Sequence, residues 1–255
     1  MTEIIVDDGT KIHFESFGSK PGKPALLLLP GWLGSISVQW RPFVAELVKD
    51  FWVIMVDLRS HGRSTNTQPN LTLDNMLQDI ITLIDHLQIP QLHVAGYSLG
   101  GYLGMMLALS QPRLVSTLLV HATKFYWTAE TVTRMREQLE PDTMAQKAPG
   151  YADQLVKEHG ARHWRELVRQ VADLITLMAE KGLTEGMVRR IQIPTLFCVG
   201  DRDELVPVNE AYRLSRILPN AGLFVLPHVR HPFQTVKPIP FVPMMRHFHL
   251  TAQKS

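Results

Sequence analysis

The chain has 255 residues, 45% of them hydrophobic and 20% charged, which is enough apolar material for one sizeable core. A formal charge of +2 offers no basic excess for nucleic acid, and a single cysteine, Cys198, excludes an internal disulfide. No run approaches the ~18 consecutive apolar residues of a membrane span, and the opening MTEIIVDDGTK has no basic segment leading into an apolar stretch, so the expected setting is the cytoplasm, away from membranes.

In chain order, EIIVDDGTKIHFESFG reads as two short strands around an Asp8-Gly9 turn. ALLLLPG, FWVIMVD, QLHVAGYS, RLVSTLLVHA, PTLFCVGD and AGLFVLPH follow as unbroken apolar runs. Runs without alternation indicate strands buried on both faces, as in a parallel sheet. Cys198, inside one of them, reads as a small buried hydrophobe. LTLDNMLQDIITLIDHL places Leu73, Met76, Leu77, Ile80, Ile81, Ile84 and Leu87 at helical spacing, with Thr72 as N-cap. LGGYLGMMLALSQP reads as a helix closed by Pro112. Strand and helix in alternation predict a doubly wound, mostly parallel α/β sheet flanked by helices.

The alternation stops between residues 123 and 191, where only helical pieces occur. The strongest, HWRELVRQVADLITLMAEKG, aligns Trp164, Leu167, Val168, Val171, Leu174, Ile175 and Met178 on one stripe. Such an insertion before the penultimate strand would form a small helical cap over the C-terminal edge of the sheet, where open α/β sheets bind ligands. The division expected is a core of residues 1–122 and 192–255 and a cap of 123–191.

Chemistry concentrates at the strand ends. GYSLG fits G-x-S-x-G between a predicted strand and a predicted helix, which makes Ser98 a candidate nucleophile on a strained turn. A serine hydroxyl needs a base, and the base an orienting acid. DRDELVP supplies Asp201, Asp203 and Glu204 after one late strand, and HVRHPF supplies His228 and His231 after the next. The remaining histidines show no metal-ligand spacing, and HFH near the C-terminus brackets an apolar Phe248, so no metal or other cofactor is expected.

LLLLPGW, DLRSHGRS, GYSLGG, VGDRDELVP and HVRHPF, in that order, resemble the α/β-hydrolase family, serine carboxylesterase branch, over nearly the whole chain. The resemblance implies a triad of Ser98, Asp203 and His231: the family's G-x-x-D pattern starts at Gly200 and selects Asp203 over Asp201, and its late histidine matches His231 better than His228. It implies oxyanion donors at the backbone amides of Leu99 and Trp32, with Leu33 as the rival to Trp32. Many relatives carry His-Gly where this chain has Pro30-Gly31, which keeps a backbone donor but no histidine. Tyr97, Phe125, Tyr126, Trp127 and Trp164 are candidates for the substrate pocket.

The function implied is cleavage of a carboxylic ester of a small or medium-sized substrate through an acyl-enzyme on Ser98. A second reading is a cofactor-independent dioxygenase of N-heteroaromatic rings, or a lyase, using His231 and Asp203; LLLLPGW resembles the loop of such dioxygenases, but they carry a histidine beside the elbow serine where this chain has Tyr97 and Leu99. A third is a non-catalytic receptor, since fold does not dictate function. The partner expected in each case is a small molecule; the oligomeric state is left open.

Overall fold

The apolar runs become strands of one eight-stranded sheet in the computed structural model, which describes residues 2–19 and 21–252. The strands are β1 (Glu3–Ile5), β2 (Lys11–Phe17), β3 (Ala25–Leu29), β4 (Trp52–Val56), β5 (Leu92–Tyr97), β6 (Val115–His121), β7 (Thr195–Gly200) and β8 (Ala221–Leu226). Their spatial order is β1-β2-β4-β3-β5-β6-β7-β8, with β1 and β2 antiparallel to their neighbours and the rest parallel. The order reverses between β3 and β5, paired from Ala25–Leu92 to Leu29–Gly96. A crevice therefore opens beyond their C-terminal ends, the place where a doubly wound sheet admits a ligand.

The helices are α1 (Val44–Leu47), α2 (Leu73–His86), α3 (Leu99–Ser110), α4 (Ala129–Gln138), α5 (Pro141–Lys147), α6 (Pro149–His159), α7 (Trp164–Lys181), α8 (Glu185–Val188), α9 (Val208–Ile217) and α10 (Pro238–Thr251). Thr72 caps α2, its hydroxyl accepting from the Asn75 amide at 3.1 Å. One apolar layer joins α2 and α3 to a face of the sheet and runs on into α7. The opposite layer is aromatic: Trp40, Phe43, Phe233 and Phe241 interlock against Leu26, Leu28, Val53 and Met55. Such a three-layer arrangement buries both faces of the central strands, which is why β3 and β5 read as unbroken apolar runs. β8 departs from that reading. It is the edge strand, and only Leu226 of its six residues is fully buried: Ala221 and Leu223 pack on one layer and Phe224 on the other, each only partly covered.

Helices α4 to α8 all fall between β6 and β7. They are rooted in the core at Glu210 of α9, whose Oε1 accepts the amides of Phe125 (2.7 Å) and Tyr126 (3.0 Å) while Oε2 takes Lys124 Nζ at 2.5 Å. Among the described residues no helix is long and apolar enough to cross a membrane.

Candidate active site

Ser98 lies between β5 and α3 with φ 51° and ψ −115°. A side-chain-bearing residue pays on the order of 1–3 kcal/mol for such a backbone, and the surroundings must hold it there. They do so by close packing. A Cβ on Gly100 would lie 2.2 Å from the Leu29 carbonyl oxygen, so only glycine lets α3 start hard against β3. Thr123 adds a hydroxyl bond to the Ser98 carbonyl at 2.9 Å.

Asp203, in the loop after β7, is fully buried at its carboxylate. Its Oδ1 accepts the amides of Leu205 (2.9 Å) and Val206 (2.7 Å), and the His231 Nδ1–H meets the same carboxylate at 2.9 Å to Oδ2. An acceptor-only group on Nδ1 leaves Nε2 as the basic nitrogen. His231 Nε2 and Ser98 Oγ are both buried without a hydrogen-bond partner in the chain, so the contact between them is open here. Catalytic hydrogen bonds are commonly long before substrate tightens them. Of the neighbouring candidates, Glu204 binds Arg230 and accepts the His231 backbone amide at 3.3 Å, without meeting the imidazole, while Asp201 and His228 are exposed, His228 in the left-handed region at φ 59°.

Tyr97 buttresses this assembly. Its hydroxyl donates to the His231 carbonyl at 2.9 Å, and its ring centroid stands 5.6 Å from the imidazole. Burial pushes the phenol far above its usual range, so it stays a donor. Behind it, burial lowers His121 to about 4, keeping that ring neutral.

The loop after β3 borders the same turn. Gly31 offers its amide to Gln39 Oε1 at 2.8 Å, and Leu33 sits at φ 55°. The amides of Trp32 and Leu99 donate to no other group of the chain among the described residues. Both stand free for charge developing on a ligand, Leu99 at the N-terminus of a 12-residue helix.

Two cavities meet at Trp32, Leu33, Tyr151, His231 and Pro232. One, of about 330 Å³, has mixed walls, with Gln39, Gln154 and Gln234 set among Val38, Tyr97 and Phe233. The other, of about 590 Å³, is mainly apolar and runs under α4 and α5 past Met135, Leu139 and Met144, with Arg134 and Lys147 at its wall. Of the aromatic residues expected to line the pocket, only Tyr97 does so; Phe125, Tyr126, Trp127 and Trp164 line none of these walls. Trp164 opens α7 buried in the core layer, Phe125 and Tyr126 are held at the cap root by Glu210, and Trp127 packs on Trp32 with centroids 6.2 Å apart. Tyr151, Gln154, Met135 and Met144 carry no such signal in the sequence. Their helices hold no motif, and only tertiary packing turns them toward His231.

A larger cavity of about 980 Å³ opens at the other edge of the sheet, beside Gln91, Pro112 and Asn220, without an acidic, basic or thiol side chain on its walls. Among the described residues no three His, Cys, Asp or Glu side chains gather as a metal would require.

Residues 26–242 match the sequence pattern of the family described as "Alpha/beta hydrolase family". The chain belongs to the α/β-hydrolase family. Among curated members of the family, it is 31% identical over 242 residues to "Putative carbamate hydrolase RutD" of Pseudomonas savastanoi pv. phaseolicola, covering 85% of this chain and 90% of that one. It is 28% identical over 244 residues to "3-oxoadipate enol-lactonase 2" of Acinetobacter baylyi, covering 88% of each. Among solved structures of α/β-hydrolases, the enol-lactonase from Burkholderia xenovorans LB400 superposes with a TM-score of 0.81 at 19% identity, covering 97% of this chain and 99% of that one. At that identity the likeness is one of fold.

Proposed function

We propose that this α/β-hydrolase is a serine hydrolase that cleaves a carboxylic ester of a small or medium-sized substrate. The observation that carries the reading is the His231–Asp203 pair: the carboxylate is buried, held by two backbone amides, and bonded at Nδ1, with Nε2 free. In the reaction Ser98 Oγ attacks the acyl carbonyl while His231 Nε2 takes its proton. The tetrahedral oxyanion is received by the amides of Leu99 and Trp32, and His231 returns the proton to the departing alkoxide. Water activated by the same nitrogen then releases the acid and restores Ser98.

The names of relatives bear on the bond type. A carbamate or a lactone also presents an acyl carbonyl to the nucleophile, and Gln39, Gln154 and Gln234 in the smaller cavity offer amide groups to the hydrogen-bonding atoms of a leaving group. The test is treatment with a fluorophosphonate, peptide mapping, and assay of p-nitrophenyl esters of graded acyl length beside a carbamate series. Label on Ser98 with parallel loss of ester turnover supports the reading. Faster turnover of carbamates transfers it to that class, and neither label nor turnover favours His231–Asp203 chemistry without a covalent serine, or a receptor.

A further inference from the structure

Besides the Trp127–Trp32 ring contact, the inserted helices reach the loop that carries Trp32 by side-chain hydrogen bonds from α6. On α6, Tyr151 and Gln154 line the smaller cavity, and two residues at its C-terminal end reach the loop after β3. Ser35 Oγ donates to Glu158 Oε2 at 2.9 Å, and His159, 7% exposed, contacts the carbonyl of Leu33 from Nε2 at 3.1 Å. The Gly62 amide donates to His159 Nδ1 at 2.8 Å. That bond needs a lone pair on Nδ1, so the imidazole proton sits on Nε2 and is donated to Leu33. The acceptor belongs to the residue that follows Trp32 and that holds φ at 55°. From the core side the same loop is pinned by Gln39 through the Gly31 amide.

We propose that His159 is a positioning residue that couples the seating of α6 to the geometry of the oxyanion loop, so that a substrate contacting Tyr151 and Gln154 settles the Trp32 amide into place. The imidazole spans the core loop at Gly62 and the oxyanion loop at Leu33, and it is rigid enough to set the distance between them. The inference rests on the reading that Trp32 receives the oxyanion, and it adds a cap residue to the machinery that stabilises the transition state.

His159→Asn keeps an acceptor where Nδ1 stands, for Gly62, but ends short of the Leu33 carbonyl. Its kcat for a p-nitrophenyl ester should fall roughly tenfold to a hundredfold, less than for deleting an oxyanion donor outright, with KM nearly unchanged. Amide hydrogen exchange in a peptide covering residues 30–36 should quicken, while α3 stays as protected as in the parent. His159→Gln, long enough to donate to Leu33, should recover part of both. Unchanged kcat and exchange in His159→Asn would overturn the proposal, as would a loss shared equally by His159→Gln. Exchange is read without substrate. Quickened exchange in a protein that turns over no ester therefore supports the tie while the ester reading fails. Should His159→Asn not fold, Ser35→Ala removes the second tie from α6 and takes its place: slower turnover with quickened exchange at residues 30–36 supports the coupling, and parent values of both overturn it.

Discussion

Gly31 packs its backbone directly over Ser98: a Cβ at Gly31 would stand 3.2 Å from the Ser98 Cβ and 2.8 Å from the Tyr97 ring. Tyr97 cannot swing aside without losing its bond to the His231 carbonyl. Gly31→Ala should therefore shift the oxyanion loop rather than the tyrosine. The expected outcome is a loss of kcat greater than about tenfold with a stability cost of about 1–3 kcal/mol, as for other overpacked sites. Steady-state kinetics beside urea unfolding would separate the two, and wild-type kcat in the variant would mean that the loop has room to spare.

Asp203→Asn should preserve the fold and cripple turnover. An amide can still accept from Leu205 and Val206, but it no longer favours the imidazole with its free lone pair on Nε2. A loss of roughly 10⁴-fold in kcat is the expected scale. Asp201→Asn, at the exposed acid in the same loop, serves as the control and should stay within a few-fold of the parent. Equal losses in both variants would mean that the acid has been misassigned.

The apolar cavity under α4 and α5 should set acyl length. Met135→Trp fills space next to Leu139 and Met144, and should lower kcat/KM for long p-nitrophenyl esters relative to short ones by about tenfold or more. A length profile identical to the parent's would place the acyl group in the other cavity.

Glu210 holds three groups at once, and Lys124 is buried with it. Glu210→Gln leaves that ammonium without its counter-charge, for an expected cost of about 3–5 kcal/mol in denaturant unfolding. A midpoint that stays at the parent's value would show that Lys124 escapes to solvent.

Acid should destabilise the protein through buried histidines. His93 and His249 share the Thr117 hydroxyl at 2.7 and 2.6 Å; burial lowers His93 to about 4 and His249 well below its usual range. Unfolded, both titrate near about 6.5. From that pH down to about 4 the unfolded chain binds more protons than the folded one, so stability falls as pH falls. Tm measured from about pH 7.5 to about 4.5 should drop steadily once the pH is below that unfolded value, and a flat profile would contradict the neutral state assigned to these rings.

Much of the architecture was legible because β3 to β7 are covered on two sides and so announce themselves as uninterrupted apolar runs. β8 produced the same signal from an edge position whose two faces are only partly covered, since a short run cannot report how deeply its sides are buried. Ser98 was legible because its turn demands glycines at fixed offsets. Gln39, Tyr151 and His159 were not: each acts on a residue far away in the chain or through one side-chain bond, and neither leaves a periodicity. The aromatic run at 125–127 misled because ring size signals burial, and burial at the cap root looks the same in sequence as burial around a ligand.

The pairing of Leu29 with Gly96 places the turn at Ser98 and the loop that carries Trp32 on adjacent strands, whereas α4 to α8 leave and re-enter the sheet at β6 and β7. Under the proposed function, the groups that act on a bond and the walls that select the molecule thus lie on separate stretches of chain. A change in α4 or α5 would then alter the cavity wall at Met135, Leu139 or Met144 and leave Ser98, Asp203 and His231 in place, whereas a change in α6 would reach the cavity and the Trp32 loop together.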